Sequence, residues 1–212
     1  MLTLAVFSFN AFQENTYIII NDQKQCWIVD PGMYGQQEIN QLTNYIAQQG
    51  LTPQAVINTH AHIDHIFGVQ AMKDKYSIPF SLHEMELPVL KMGAQSAAMF
   101  GFEFTASPTP DSYIKAGQPL MLGGDEITVF NTPGHSPGSI SFYYPAGGWV
   151  IAGDVLFNGG IGRTDLPGGN FDTLINSIRT HLFTLPGATK VYSGHGPVTT
   201  IESEMMHNPF LS

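Results

Sequence analysis

Seven residues of this chain have the side chains and spacing to hold metal: His60, His62, Asp64, His65, His135, Asp154 and His195. The first four lie in one run, Thr59-His60-Ala61-His62-Ile63-Asp64-His65, and the others on turns at Gly134-His135-Ser136, Gly153-Asp154 and Gly194-His195-Gly196. Five imidazoles and two carboxylates are enough for two ions sharing one bridging carboxylate. All donors are nitrogen or oxygen, which suits zinc, iron or manganese. His60 and His62 share parity, so an extended loop can aim both at one ion, with His135 as a third ligand. Asp64 and His65 are displaced along the chain and serve a neighbouring ion with His195, leaving Asp154 as the bridge. Such a ligand count leaves coordination positions open for water, as a catalytic site requires.

Two ions about 3.5–4 Å apart can hold a hydroxide and polarise a carbonyl or phosphoryl oxygen. Zinc alone lowers the pKa of its water to about 7, so no serine or cysteine nucleophile is needed. Consistent with this, the chain has no Gly-x-Ser-x-Gly elbow, and its one cysteine, Cys26, lies in an apolar strand. Asp64 and Asp154 are the candidate catalytic carboxylates, Asp64 doubling as a proton shuttle. A thiolate leaves without protonation, because a thiol pKa is about 8.5. An amide nitrogen needs a placed proton donor, and none stands out beyond the ligands. A metal-activated hydrolase follows, with a thioester the easier substrate.

Each ligand follows a strand. Val56-Ile57-Asn58 precedes His60, Val129-Phe130-Asn131 precedes His135, Val150-Ile151-Ala152 precedes Asp154, and Val191-Tyr192-Ser193 precedes His195. Strands of one sandwich can bring such ends to a common edge, with the ligands on rim loops. Strands are expected at 2–9, 16–20, 26–29, 55–58, 79–82, 119–122, 127–131, 139–144, 149–152 and 190–193. Helices are expected at 36–49, 66–76, 171–185, with Asn170 as N-cap, and 201–207. Between 84 and 104, Met85, Met92 and Met99 recur seven apart. A helical pair burying that stripe is the expectation, and a methionine-lined lid the alternative. Strand runs interleaved with helices suggest two sheets, each covered by helices on its outer face.

Asp30, at the strand end Val29-Asp30-Pro31-Gly32, either orients a metal-binding imidazole and braces the histidine loop or is a turn aspartate. His83, His181 and His207 stand alone and read as surface or packing residues.

Composition narrows the partners. The 212 residues fit one domain, 1–212. The net charge is −9 with eight Lys and Arg and no basic cluster, which argues against nucleic acid. No apolar run reaches eighteen residues, so no membrane span is expected. The N-terminus lacks the pattern of a signal peptide, and a cytoplasmic location is the default. A small-molecule substrate follows; the oligomeric state is left open.

The Thr59–His65 run, Thr132-Pro133-Gly134-His135, Gly153-Asp154, Gly194-His195-Gly196-Pro197 and Asp30-Pro31-Gly32 together resemble the metallo-β-lactamase superfamily. The resemblance implies an α/β fold, a four-layer αβ/βα sandwich of two mixed β-sheets flanked by helices. Gly153-Asp154-Val155-Leu156-Phe157 with Gly162-Arg163-Thr164-Asp165 is similar to its glyoxalase II and persulfide dioxygenase branch. That implies zinc-dependent hydrolysis of S-lactoylglutathione to lactate and glutathione, by a short form without the C-terminal helical region that helps bind glutathione. Arg163 matches a substrate-binding position of longer members; an ion pair with Asp165 is the other reading. Three rivals stand beside the hydrolase. One is an iron-dependent persulfide dioxygenase using His60, His135 and Asp154. Another is a β-lactam hydrolase, disfavoured by the lack of an export signal. The third is a non-catalytic, metal-stabilised binding module.

Overall fold

The computed structural model describes residues 1–211; Ser212, last residue of the expected domain 1–212, lies outside the described residues. The chain opens with three antiparallel strands, β1 (Thr3–Phe9), β2 (Glu14–Ile20) and β3 (Gln25–Val29). Helix α1 (Gln36–Gln49) then crosses to β4 (Thr52–Ile57), which runs parallel to β3. Gly50, at φ 63°, ends α1 in the left-handed conformation that glycine adopts without penalty. Helix α2 (Val69–Tyr76) returns to β5 (Phe80–His83), and helices α3 (Leu87–Lys91) and α4 (Gly93–Met99) lead to β6 (Ser112–Ile114). These six strands form the first sheet, in the order β1-β2-β3-β4-β5-β6.

The second sheet begins with β7 (Leu120–Leu122), β8 (Asp125–Asn131), β9 (Ile140–Tyr144) and β10 (Trp149–Gly153), each antiparallel to the next. A small hairpin of β11 (Leu156–Phe157) and β12 (Gly160–Ile161) follows. Helix α5 (Phe171–Ser177) leads to β13 (Lys190–Ser193), which pairs parallel to β10. Strand β14 (Thr199–Thr200) closes the edge, before helix α6 (Ile201–His207). The order is β14-β13-β10-β9-β8-β7.

Side-chain alternation explains why both faces of each sheet are covered. In β2, Ile18 packs on Leu42, Ile46 and Met72 of the helical layer, while Tyr17 and Ile19 meet Val129, Phe142 and Ile151 of the other sheet. In β10, Val150 and Ala152 face Leu174, Ile178 and Ile201, and Trp149 and Ile151 face inward. Strands buried on both faces read as continuous apolar runs, as Tyr17-Ile18-Ile19-Ile20 and Trp149-Val150-Ile151-Ala152 do. The layers are therefore helix, sheet, sheet, helix, the expected αβ/βα sandwich.

Several boundaries differ from expectation. The helix expected at 66–76 starts at Val69, because Ile63–His65 forms a separate single turn and the Gly68 N–H is held by the Pro31 carbonyl at 2.7 Å. The helix expected at 171–185 has the Asn170 cap, accepting from the Thr173 N–H at 2.9 Å, but widens after Ser177 into a looser turn over Ile178–Leu182. The buried methionine stripe is a correction. Met85, Met92 and Met99 are 53%, 39% and 79% exposed, and Leu90, Gly93 and Ala97 turn inward instead. Small residues at two of those positions let α4 lie close to the core. Among the described residues no helix is long and apolar enough to cross a membrane.

Candidate metal centre

The ends of β4, β8, β10 and β13 meet at one edge of the sandwich, as their sequences suggest. Backbone contacts across the sheets fix that meeting: the Ile140 N–H donates to the Thr59 carbonyl at 3.0 Å, and the Asn15 N–H to the Gly194 carbonyl at 2.7 Å. The Asn15 side chain spans the Ser193 and Gly196 carbonyls at 3.1 and 2.9 Å, holding the turn that carries His195.

All seven predicted residues converge there. The donor atoms of His60, His62 and His135 lie within 4.8 Å of one another, and so do those of Asp64, His65 and His195. Asp154 lies between the groups. Its Oδ2 is 3.5 Å from both His135 Nε2 and His195 Nε2, and its Oδ1 is 3.4 Å from His65 Nε2. Gly194 is required beside it, since a Cβ there would overlap Asp154 Oδ1.

Hydrogen bonds outside the cluster set which ring nitrogen faces in. His135 Nδ1 lies 2.8 Å from the Arg163 carbonyl and His195 Nδ1 3.0 Å from the Phe12 carbonyl. A carbonyl only accepts, so each Nδ1 carries a proton and each Nε2 is the nitrogen turned toward the cluster. Asp30 accepts the Thr59 hydroxyl at 2.6 Å and the Thr59 N–H at 2.7 Å; the hydroxyl then meets His60 Nδ1 at 3.0 Å. Asp30 Oδ2 is also 3.2 Å from His65 Nδ1. Asp30 thus both braces the loop and faces a cluster imidazole. It is not a turn aspartate alone.

The donor set suits divalent cations. His60 Nε2, His65 Nε2 and Asp154 Oδ1 are buried and lack any hydrogen-bond partner among the described residues. Orphaned buried polar atoms are costly, and here they point at one another. Charge agrees. Burial, then the neighbouring His135, lowers His62 to about 3, and burial and His65 push His60 well below the usual imidazole range. These two stay neutral, as ligands must. At His65 burial opposes charging but the Asp64 and Asp154 carboxylates overcome it and hold the ring well above its ordinary value. At His195 burial is likewise outweighed by Asp154 and Asp64, giving about 10. A field that favours imidazolium favours any cation in the same place.

Two acids escaped the sequence reading. Glu86 is fully buried, and its carboxylate accepts from the Ala61 N–H at 2.8 Å, the Ser136 hydroxyl at 2.7 Å and the Gly138 N–H at 2.6 Å. It ties the loop of His60 and His62 to the loop of His135. Glu14 is also fully buried, 3.8 Å from His65 Nδ1, and burial raises its carboxyl well above the usual range. Neither lies near the ligands in sequence, and no local pattern marks either as their support.

A cavity of about 550 Å³ opens over the cluster. Its floor is His62, Asp64, His135, Asp154 and His195; Phe12, Met92, Met99, Phe100 and Phe157 form its walls, with Arg163 at the rim. The lid alternative for the methionines is nearer to what is found, for Met92 and Met99 border the site. Arg163 Nε and Nη2 donate to the two Asp165 oxygens at 2.7 and 2.8 Å, and that pairing holds the Asp165 carboxyl at about 2. Of the solitary histidines, His181 stacks on Phe130 at 5.5 Å and His83 Nδ1 caps the Met85 N–H, while His207 is exposed; none joins the cluster.

Comparison with known proteins agrees with the fold. The metallo-beta-lactamase superfamily model matches residues 9–195. The chain belongs to the metallo-beta-lactamase superfamily. It is 47% identical to the probable metallo-hydrolase YqgX of Bacillus subtilis over 202 residues, 94% of this chain and 93% of that protein. It is 34% identical to the hydroxyacylglutathione hydrolase GloC of Haemophilus influenzae, over 100% of this chain and 99% of that one. Among solved structures, the BLEG-1 B3 metallo-beta-lactamase superposes with a TM-score of 0.91 at 41% identity, covering 99% of this chain and 100% of that one. TTHA1623, in a di-iron-bound form, gives 0.88 at 35% identity, covering 98% and 100%.

Proposed function

We propose that the chain is a metal-dependent thioester hydrolase of the glyoxalase II type, acting on S-lactoylglutathione-like 2-hydroxyacyl thioesters in the cytoplasm. The observation that carries this reading is the Asp154 carboxylate set between two histidine groups at the floor of a cavity. In it His60, His62 and His135 would hold one ion and Asp64, His65 and His195 the other, with Asp154 placed to be shared between them. A bound divalent ion lowers the pKa of water and polarises a carbonyl oxygen. Zinc is the first expectation, and the likeness to a di-iron protein supports iron as well.

The chain's own residues do the rest. Carbonyl and hydroxyl partners hold the imidazoles with their lone pairs inward. Asp64 lines the cavity and can take the proton of the attacking water. Phe12, Met92 and Phe100 keep bulk water away from the scissile carbonyl. The thiolate leaves unprotonated, so no further acid is needed. Arg163 contributes its stem to the rim while Asp165 holds its guanidinium.

The likeness to GloC supports the thioester, and the likeness to BLEG-1 brings back a second reading that the sequence had set aside, hydrolysis of a β-lactam amide. The test is an assay of metal-loaded protein with S-lactoylglutathione, a chromogenic β-lactam and glutathione persulfide. Thiol release without oxygen uptake is expected. β-Lactam opening without thioester cleavage favours the second reading, oxygen uptake with the persulfide the dioxygenase, and full metal with no turnover a binding module.

A further inference from the structure

We infer that the cavity over the metal centre prefers thioesters whose thiol arm is uncharged and apolar over those of glutathione. The inference rests on the thioesterase reading and names its substrate class. Glutathione brings carboxylates and an ammonium group, each of which needs a partner once it leaves water. Among the described residues lining the cavity, Arg163 is the one Lys or Arg. One fork of its guanidinium is engaged, Nε with Asp165 Oδ1 at 2.7 Å and Nη2 with Asp165 Oδ2 at 2.8 Å, so its charge is already paired. A peptide carboxylate would meet at this rim a single cation already neutralised by Asp165, and the ammonium group would find no free carboxylate among the described residues that line the cavity away from the metal ligands.

The walls offer the opposite chemistry. Met92, Met99 and Phe100 stand 39%, 79% and 51% exposed, and Phe12 meets Phe100 edge-on at 5.4 Å. A contiguous apolar surface beside a reactive centre marks a ligand-binding wall. Methionines are flexible and polarisable, and adapt to aromatic or branched groups of varied shape.

The test is calorimetry of metal-loaded protein with two non-hydrolysable thioethers, 2-(benzylthio)ethanol and S-methylglutathione. The benzyl compound is expected to bind at least tenfold more tightly; equal or tighter binding of S-methylglutathione overturns the inference. Met99→Lys, at an exposed position, should narrow the gap several-fold by supplying a cation, and an unchanged gap would contradict the role given to this wall. The lactoyl thioesters of benzyl mercaptan and glutathione, both primary alkyl thiols, are assayed in parallel. A KM at least tenfold lower for the benzyl ester is expected, and a lower KM for the glutathione ester counts against the inference. If neither ester is cleaved, the thioesterase reading fails, while the thioether affinities still decide what the cavity prefers.

Discussion

The group of His60, His62 and His135 and the group of Asp64, His65 and His195 sit side by side, yet different forces hold them. The first consists of imidazoles only, two of them kept neutral by burial. Its geometry depends on hydrogen bonds from outside: Thr59 to His60, the Arg163 carbonyl to His135, and Glu86 between the two loops. The second contains Asp64, with Asp154 beside it and Asp30 behind His65, and is dominated by negative charge. Scaffolding sets the first position and electrostatics the second. The second should therefore fill first as metal is added, and the first should be the more sensitive to loss of distant hydrogen bonds.

The largest expected effect removes what the groups share. Asp154→Asn should lower metal content at both positions and kcat by about 10³, the scale of losing a preorganised electrostatic partner. Metal analysis beside the assay checks this, and full metal in the variant would refute the bridge. Next, His62→Ala and His195→Ala should each lose one ion and keep the other, which site-resolved metal titration can separate. Glu86→Gln acts only through the scaffold. It should weaken the first position 10–100-fold, as changes to a ligand's supporting partners do, and leave the second within a few-fold. Its buried donors lose an ionised acceptor, so unfolding by denaturant should show a loss of about 1–3 kcal/mol. Equal weakening of both positions would erase the contrast between them.

Smaller effects come from outside the cluster. Arg163→Ala breaks an exposed ion pair, so stability should change by less than about 1 kcal/mol. The KM for an uncharged thioester should stay within threefold, and a large rise would give the guanidinium a direct part in binding. Burial raises the Cys26 thiol to about 12, so iodoacetamide at pH 8 should leave the folded protein unmodified and label it only after unfolding.

The ligands were legible because their chemistry is local. Four sit in one run, and the other three each follow an apolar strand whose end must lie at the sheet edge. The layer order was legible because strand runs interleave with helices, and β2 and β10 agree, with every residue but Ile20 buried. The supporting acids were not. Glu86 lies in a stretch whose pattern points to helix, and nothing local says its carboxylate will meet loops 25 and 50 residues away. The methionine stripe misled for a related reason. Period alone marks a face, but whether that face meets the core or a cavity depends on Gly93 and Ala97, which pack inward in its place. Asp30 was open between two roles because a turn aspartate and an imidazole brace share one sequence; the Thr59 and His65 contacts separate them.

The most direct test is anomalous diffraction from crystals of the protein purified without added metal. The account predicts two peaks about 3.5–4 Å apart on either side of the Asp154 carboxylate, one within bonding reach of His60, His62 and His135 and one of Asp64, His65 and His195. Metal found elsewhere, or none near Asp154 even after soaking in zinc or iron, would contradict it.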